Sequence, residues 1–145
     1  MKPGIHQDEG YRFMGAAFEV YNDRGYGMAE EIYQESLEIE LELRGVAHHS
    51  KSELRCYYKG RELKKRYVPD LVVLDCLVVE LKAVSQLTAE HEAQVYNYTR
   101  ITRQLVGYLV NFGHKDGLEW KRLIISQFIP PLRAPAVDPS TKSVY

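Results

Sequence analysis

The stretch from Pro69 to Lys82 does most to constrain the fold. Two runs rich in Val and Leu, Tyr67 to Leu74 and Leu77 to Val84, flank Asp75, and that composition is typical of buried strands. Three charged residues interrupt the apolar material: Asp70, Glu80 and Lys82. Side chains alternate faces along a strand, so Glu80 and Lys82 share one face. Asp70 and Glu80 lie equally far in sequence from Asp75. A hairpin centred on Asp75 sets them opposite each other, with Cβ atoms roughly 5 Å apart. Two carboxylates that close in an apolar setting repel and are costly to ionise. A divalent cation between them removes the cost, and Lys82 adds a positive group able to contact a phosphate or a water. The competing reading of Glu-x-Lys on a strand is a solvated face. The apolar flanks and the parity of Asp70 weigh against it.

A chain of 145 residues suffices for one domain with a real core. Its formal net charge of −1 gives no global pull toward nucleic acid, so any such binding needs a local basic patch. Cys56 and Cys76 form no zinc spacing with His48 or His49 and read as buried free thiols in a reducing compartment. The N-terminus has no apolar stretch of signal-peptide length, and no run approaches the ~20 apolar residues of a membrane span. The expectation is a cytoplasmic protein without membrane contact.

Helical spacing of Phe13, Ala16, Ala17, Val20 and Tyr21 predicts a first helix over 10–22. A second helix is expected over 28–44, stopped by Gly45. On its wheel Ile32, Tyr33, Leu37, Ile39, Leu41 and Leu43 share a broad apolar arc. Glu30 and Glu40 fall inside that arc, where a carboxylate needs a basic or metal partner. For Glu30 the alternative is a dipole-complementing residue of the first turn; for Glu40 an ion pair is the better reading. Residues 53–58 read as a strand, Lys59-Gly60-Arg61 as a turn, and 62–74 as a second, longer strand. Lys59, Arg61, Lys64, Lys65 and Arg66 concentrate positive charge on this hairpin, with Tyr57, Tyr58 and Tyr67 interleaved. It suits a phosphate backbone or, equally, is a solvated tip that blunts aggregation. Thr88 is placed as the N-cap of a helix to about Thr102, on which Gln94 and Tyr98 share a face. A strand over 105–110 and one more near 123–125 complete an α/β layout, a central mixed sheet flanked by helices. Residues 1–129 form the single domain, and the Pro-rich segment 130–145 is expected to be a loosely attached tail.

The combination of Pro69, Asp70 and Glu80-Leu81-Lys82 with a helix before and after resembles the PD-(D/E)xK nuclease superfamily. Gly27-Met28-Ala29-Glu30-Glu31-Ile32-Tyr33 is similar to the signature of its GxxExxY branch. The likeness continues through Leu37, Glu40 and Leu41, Tyr58-Lys59-Gly60, Val79 to Val84, Leu87-Thr88, Glu92-Ala93-Gln94 and Asn111-Phe112, covering roughly residues 13–125. Single motifs of this kind are weak, but their order and spacing are specific together.

The resemblance implies a restriction-endonuclease-like core. It implies Asp70 and Glu80 as metal-binding carboxylates, with the backbone carbonyl of Leu81 as a third ligand of Mg²⁺ or Mn²⁺. Lys82 resembles the lysine that positions or activates the attacking water, and Glu30 the acidic residue of the first core helix. Gln94 and Tyr98 resemble a Gln-x-x-x-Tyr pair that some branches carry. The implied activity is metal-dependent phosphodiester hydrolysis of nucleic acid, with DNA the first candidate. The alternative is a nuclease-fold module that binds through the basic hairpin without cutting. A small domain has little surface to grip a duplex, which a homodimer would relieve.

Overall fold

In the computed structural model, which describes residues 4–125, two helices come first: α1 (Gln7–Arg24) and α2 (Glu30–Leu43). Gly25 ends α1 at φ 70°, and its N–H donates to the carbonyl of Tyr21 at 2.8 Å; only glycine takes that backbone conformation without cost. Next come β1 (His48–Ser50), β2 (Leu54–Tyr58), β3 (Arg61–Tyr67), β4 (Leu71–Val73) and β5 (Leu77–Lys82). Helix α3 (Ala89–Ile101), β6 (Val106–Asn111) and β7 (Glu119–Ile124) complete the order. The expected tail, 130–145, lies outside the described residues.

The main sheet runs β1-β4-β5-β6-β7. Its β5–β6 pair is parallel and the other pairs are antiparallel. A parallel pair needs a crossover, and α3 supplies it, capped by Thr88 as expected. Leu71, Val72 and Val73 pair with Val79, Val78 and Leu77, a register centred on Asp75. Leu74 and Asp75 turn the chain with φ of 53° and 57°, the left-handed pair that matches strand twist in tight hairpins. His49 Nε2 holds the Asp75 carboxylate at 3.1 Å.

Alternation on β5 sorts the two faces. Leu77, Val79 and Leu81 join Phe13, Ala17, Val20, Tyr33, Leu37 and Leu41 in the core beneath α1 and α2. Val78, one position out of phase, packs with Val72, Leu54, Cys56 and Tyr67, against which Tyr98 and Ile101 of α3 lean. Glu80 and Lys82 share the parity of Val78 and so belong to the second face, beside α3 and the β2–β3 hairpin.

Three expectations need correction. The strand expected over 62–74 is two strands in different sheets, because Pro69 has no N–H to give a ladder and ends the pairing of β3. Strand β1 was not expected; its three residues are too few to show a period. On α2 the buried stripe is Tyr33, Gln34, Leu37 and Leu41, while Ile39 is 58% and Leu43 77% exposed. The helix rests on the sheet along a narrow i, i+4 line, so the outer part of the apolar arc faces water. Glu40 is in an ion pair, with Arg44 at 2.6 Å.

Gly113 closes the loop after β6 against the chain leaving β5. A Cβ there would stand 2.4–2.6 Å from backbone atoms of Ala83 and Val84, and backbone cannot step aside as a side chain can. Gly113→Ala is therefore expected to lower unfolding free energy by about 3 kcal/mol, read from urea denaturation with an unchanged slope.

Candidate active site at the end of β4 and β5

The ladder between β4 and β5 stops at Leu71–Val79. One step further Asp70 faces Glu80, and the carboxylate of Asp70 takes over the pairing: Oδ2 accepts from the N–H of Leu81 at 2.7 Å. Phe112 N–H donates to the carbonyl of Lys82 at 2.8 Å, so Lys82 spends its backbone groups on β6. Those of Leu81 then face the other edge, toward Asp70. The Asp70 carbonyl accepts from Lys51 N–H at 3.2 Å and from the Gln34 amide at 3.0 Å. Asp70 is thus pinned by Lys51 just after β1, by α2 and by β5 together, and is 6% exposed.

Glu80 accepts from the Tyr67 hydroxyl at 2.7 Å. The Tyr67 ring in turn stacks on Tyr98, with centroids 4.3 Å apart and planes at 18°. Glu30 opens α2 and is half-buried. Its helix start is held by Tyr33, whose hydroxyl donates to Gly25 O at 2.6 Å and accepts from Met28 N–H at 3.2 Å. The Tyr33 ring stacks on Phe112 at 4.8 Å. Asn111, fully buried, bonds the N–H and carbonyl of Val84 at 3.0 and 2.9 Å, fixing the chain just beyond Lys82. Tyr33, Asn111 and Phe112 thus act on the site through the backbone they hold.

Electrostatics ties the group together. Burial, then the charge of Asp70, pushes Glu80 up to about 7. The same two causes raise Glu30, with Lys82 and Lys51 opposing them. Lys51 was not foreseen from the sequence: it follows a strand too short to show parity, and its ammonium is bonded to Asp70 Oδ1. Burial works against that ammonium, yet Asp70, Glu80 and Glu30 keep it above the ordinary lysine range. A cation is therefore already drawn to these carboxylates.

Of the other residues singled out, Tyr98 backs Tyr67, and Gln94 is exposed one turn earlier on α3. Lys59, Arg61, Lys64 and Lys65 are exposed on the β2–β3 hairpin, and Arg66, half-buried, pairs with Glu62 at 3.2 Å. Tyr58 faces Arg61 across the turn, with Lys59 and Gly60 at φ 48° and 78°. The hairpin ends at Tyr67, the residue that touches Glu80, so the basic strip runs out directly from the carboxylates. The opposite flank is a hollow beside α2 lined by Glu30, Glu31, Gln34, Glu35, Glu38 and Lys51.

Oxygen donors around a drawn-in ammonium suit a hard divalent ion. Asp70 and Glu80 could hold one, with the Leu81 carbonyl on the same edge. Glu30, Asp70 and Glu80 do not gather their oxygens within 4.8 Å of one another; among the described residues that spacing occurs at His6, Glu9 and Cys76. The Lys51 ammonium is bonded to Asp70 Oδ1, so a metal ion at that oxygen would compete with it.

A mixed sheet between helices, with acidic residues and a lysine at the ends of paired central strands, defines a nuclease-type α/β domain. The family model described as PD-(D/E)XK nuclease superfamily matches residues 7–123, and the chain belongs to that superfamily. Nucleases of this superfamily generally use divalent metal ions. No curated protein and no solved structure gives a significant match. No helix among the described residues is long and apolar enough to cross a membrane.

The raised Glu80 sets a pH dependence with a definite sign. Between the ordinary 4.5 and about 7 the folded, metal-free protein keeps a proton that the unfolded chain releases, so stability falls as pH rises through that window. The fall attributable to Glu80 is at most about 3 kcal/mol. Glu80→Gln should flatten it, as checked by urea melts at about pH 5 and about pH 8.

Proposed function

We propose that this protein is a divalent-metal-dependent nuclease that hydrolyses phosphodiester bonds in DNA. The observation that carries the reading is the juxtaposition of Asp70, Glu80 and Lys82 at the ends of β4 and β5 in a PD-(D/E)XK domain. Asp70 and Glu80, with the Leu81 carbonyl, would hold Mg²⁺ or Mn²⁺. When bound, the ion polarises the scissile phosphate and lowers the pKa of a coordinated water. Lys82, on the same face as Glu80, orients the attacking water and offsets charge that builds on the phosphate. Glu30 completes the acidic wall from α2. The Tyr67–Tyr98 stack fixes the Glu80 carboxylate and keeps that side of the site dry. The Gly27–Tyr33 signature supports placement in the GxxExxY branch.

Charge distribution supports a direction of approach. Exposed Glu31, Glu35 and Glu42 on α2 repel a phosphate backbone, whereas Lys59, Arg61, Lys64 and Lys65 attract it. The nucleic acid therefore arrives over the hairpin and the exposed side of α3, where Gln94 lies. One observation favours a non-cutting binding module: the Lys51 ammonium stands on Asp70 where a metal is needed.

Cleavage separates the two readings. With Mg²⁺ and DNA or RNA in single- and double-stranded form, Lys82→Ala is expected to cut about 10²- to 10³-fold more slowly while melting as the wild type does. Full activity in that variant would overturn the mechanism. Lys64→Ala with Lys65→Ala should weaken binding evenly across sequences. It should also reduce the slope of log affinity against log salt by about 1–2, measured by fluorescence anisotropy.

A further inference from the structure

At the other end of β5 a second set of donors converges, unrelated to the carboxylates above. One Nδ1 or Nε2 of His6, a carboxylate oxygen of Glu9 and Sγ of Cys76 all lie within 4.8 Å of one another. His6 and Glu9 come from the N-terminal end of α1, and Cys76 from the chain entering β5. Cys76 precedes Glu80 by four residues, about 13 Å along an extended strand. The site is thus separate from the proposed nuclease centre and does not rest on that reading.

We propose that His6, Glu9 and Cys76 form a binding site for a transition-metal ion of the Zn²⁺ class. The donor chemistry selects the ion: one sulfur, one imidazole nitrogen and one carboxylate oxygen suit Zn²⁺ and its neighbours, not Mg²⁺ or Ca²⁺. Thiolate and carboxylate together balance the charge of a divalent ion, and the imidazole binds as the neutral ring. Three protein donors leave a fourth tetrahedral position for water. Bonds of about 2.0–2.3 Å put tetrahedral donors roughly 3.5 Å apart, so the side chains need close by only about an ångström. All three are half-buried, within reach of solvent yet held by their surroundings.

The scaffold around them is tied together independently of any ion. Gly10 N–H donates to the carbonyl of His6 at 2.9 Å, the first turn of α1. Arg122 of β7 bonds the carbonyl of Ile5 and the hydroxyl of Tyr108, the latter at 2.7 Å. Cys76 N–H donates to the carbonyl of Val73 at 3.1 Å, and its side chain packs on the main core. A metal here would clamp the start of α1 to the β4–β5 turn, and so stabilise the folded chain by mass action. Sequence spacing could not show this, because the ligands sit some seventy residues apart.

Co²⁺ titration of the full chain tests the proposal, because a thiolate ligand gives a near-ultraviolet charge-transfer band that an all-oxygen site cannot. The expected result is one equivalent of Co²⁺ bound with that band, displaced by Zn²⁺ and not by Mg²⁺. Cys76→Ser should abolish the band and weaken Zn²⁺ binding at least about 100-fold, since even outer partners of a metal site cost about 10- to 100-fold. His6→Ala should weaken binding comparably. Cys56→Ser, which alters the thiol in the other core cluster, should keep the band. Absence of the band in the wild type, its persistence in Cys76→Ser, or its loss in Cys56→Ser with Cys76 intact would each overturn the assignment.

Discussion

The carboxylate of Asp70 is the joint on which the site depends. It is almost wholly buried, yet it does two jobs at once. One oxygen replaces the β4 partner that Leu81 N–H has lost, and the other holds a cation. Removing such a group leaves a buried amide unpaired, which costs about 1–3 kcal/mol. The same burial raises Glu80 and Glu30, because each must share a dry corner with Asp70. The corner is affordable only with positive charge in it, and in this structure Lys82 and Lys51 supply that charge.

Charge is unevenly placed around these carboxylates although the chain has nearly zero net charge. The acidic helix α2 and the basic β2–β3 hairpin lie on opposite flanks of the same carboxylates. Under the proposed function, a cation would be drawn in from one flank and a phosphate backbone from the other. Because the hairpin ends at Tyr67, and Tyr67 bonds Glu80, movement of the hairpin reaches the Glu80 carboxylate through one hydroxyl and one stacked ring.

Much of this was legible from a parity argument. Equal spacing of Asp70 and Glu80 about Asp75 anticipated the hairpin register, and two-residue alternation put Glu80 and Lys82 on one face. The Thr88 cap, the helix it opens and the Glu40 ion pair were also readable. What escaped had no local signal. Strand β1 is three residues long, so neither it nor Lys51 beside it shows a pattern. Pro69 did carry a signal, since a residue without an N–H cannot sit inside a ladder, and it marks where β3 leaves off. Gly27 to Tyr33 and Asn111-Phe112 stood out as motif, but their work (a stacked ring pair and an amide knot) emerges only when the strands are assembled. The His6, Glu9 and Cys76 grouping is likewise a property of tertiary structure.

The central claim is that the carboxylates form a cation site in which Lys51 stands where a divalent ion belongs. Calorimetric titration of Mg²⁺ and Mn²⁺ into wild type, Lys51→Met and Asp70→Asn tests it most directly. The account predicts binding to wild type, binding tighter by on the order of tenfold when the competing ammonium is removed, and no Mg²⁺ binding in Asp70→Asn. Wild-type protein that takes up neither ion, with nucleic acid or without, or an Asp70→Asn variant that binds as well as wild type, would contradict it.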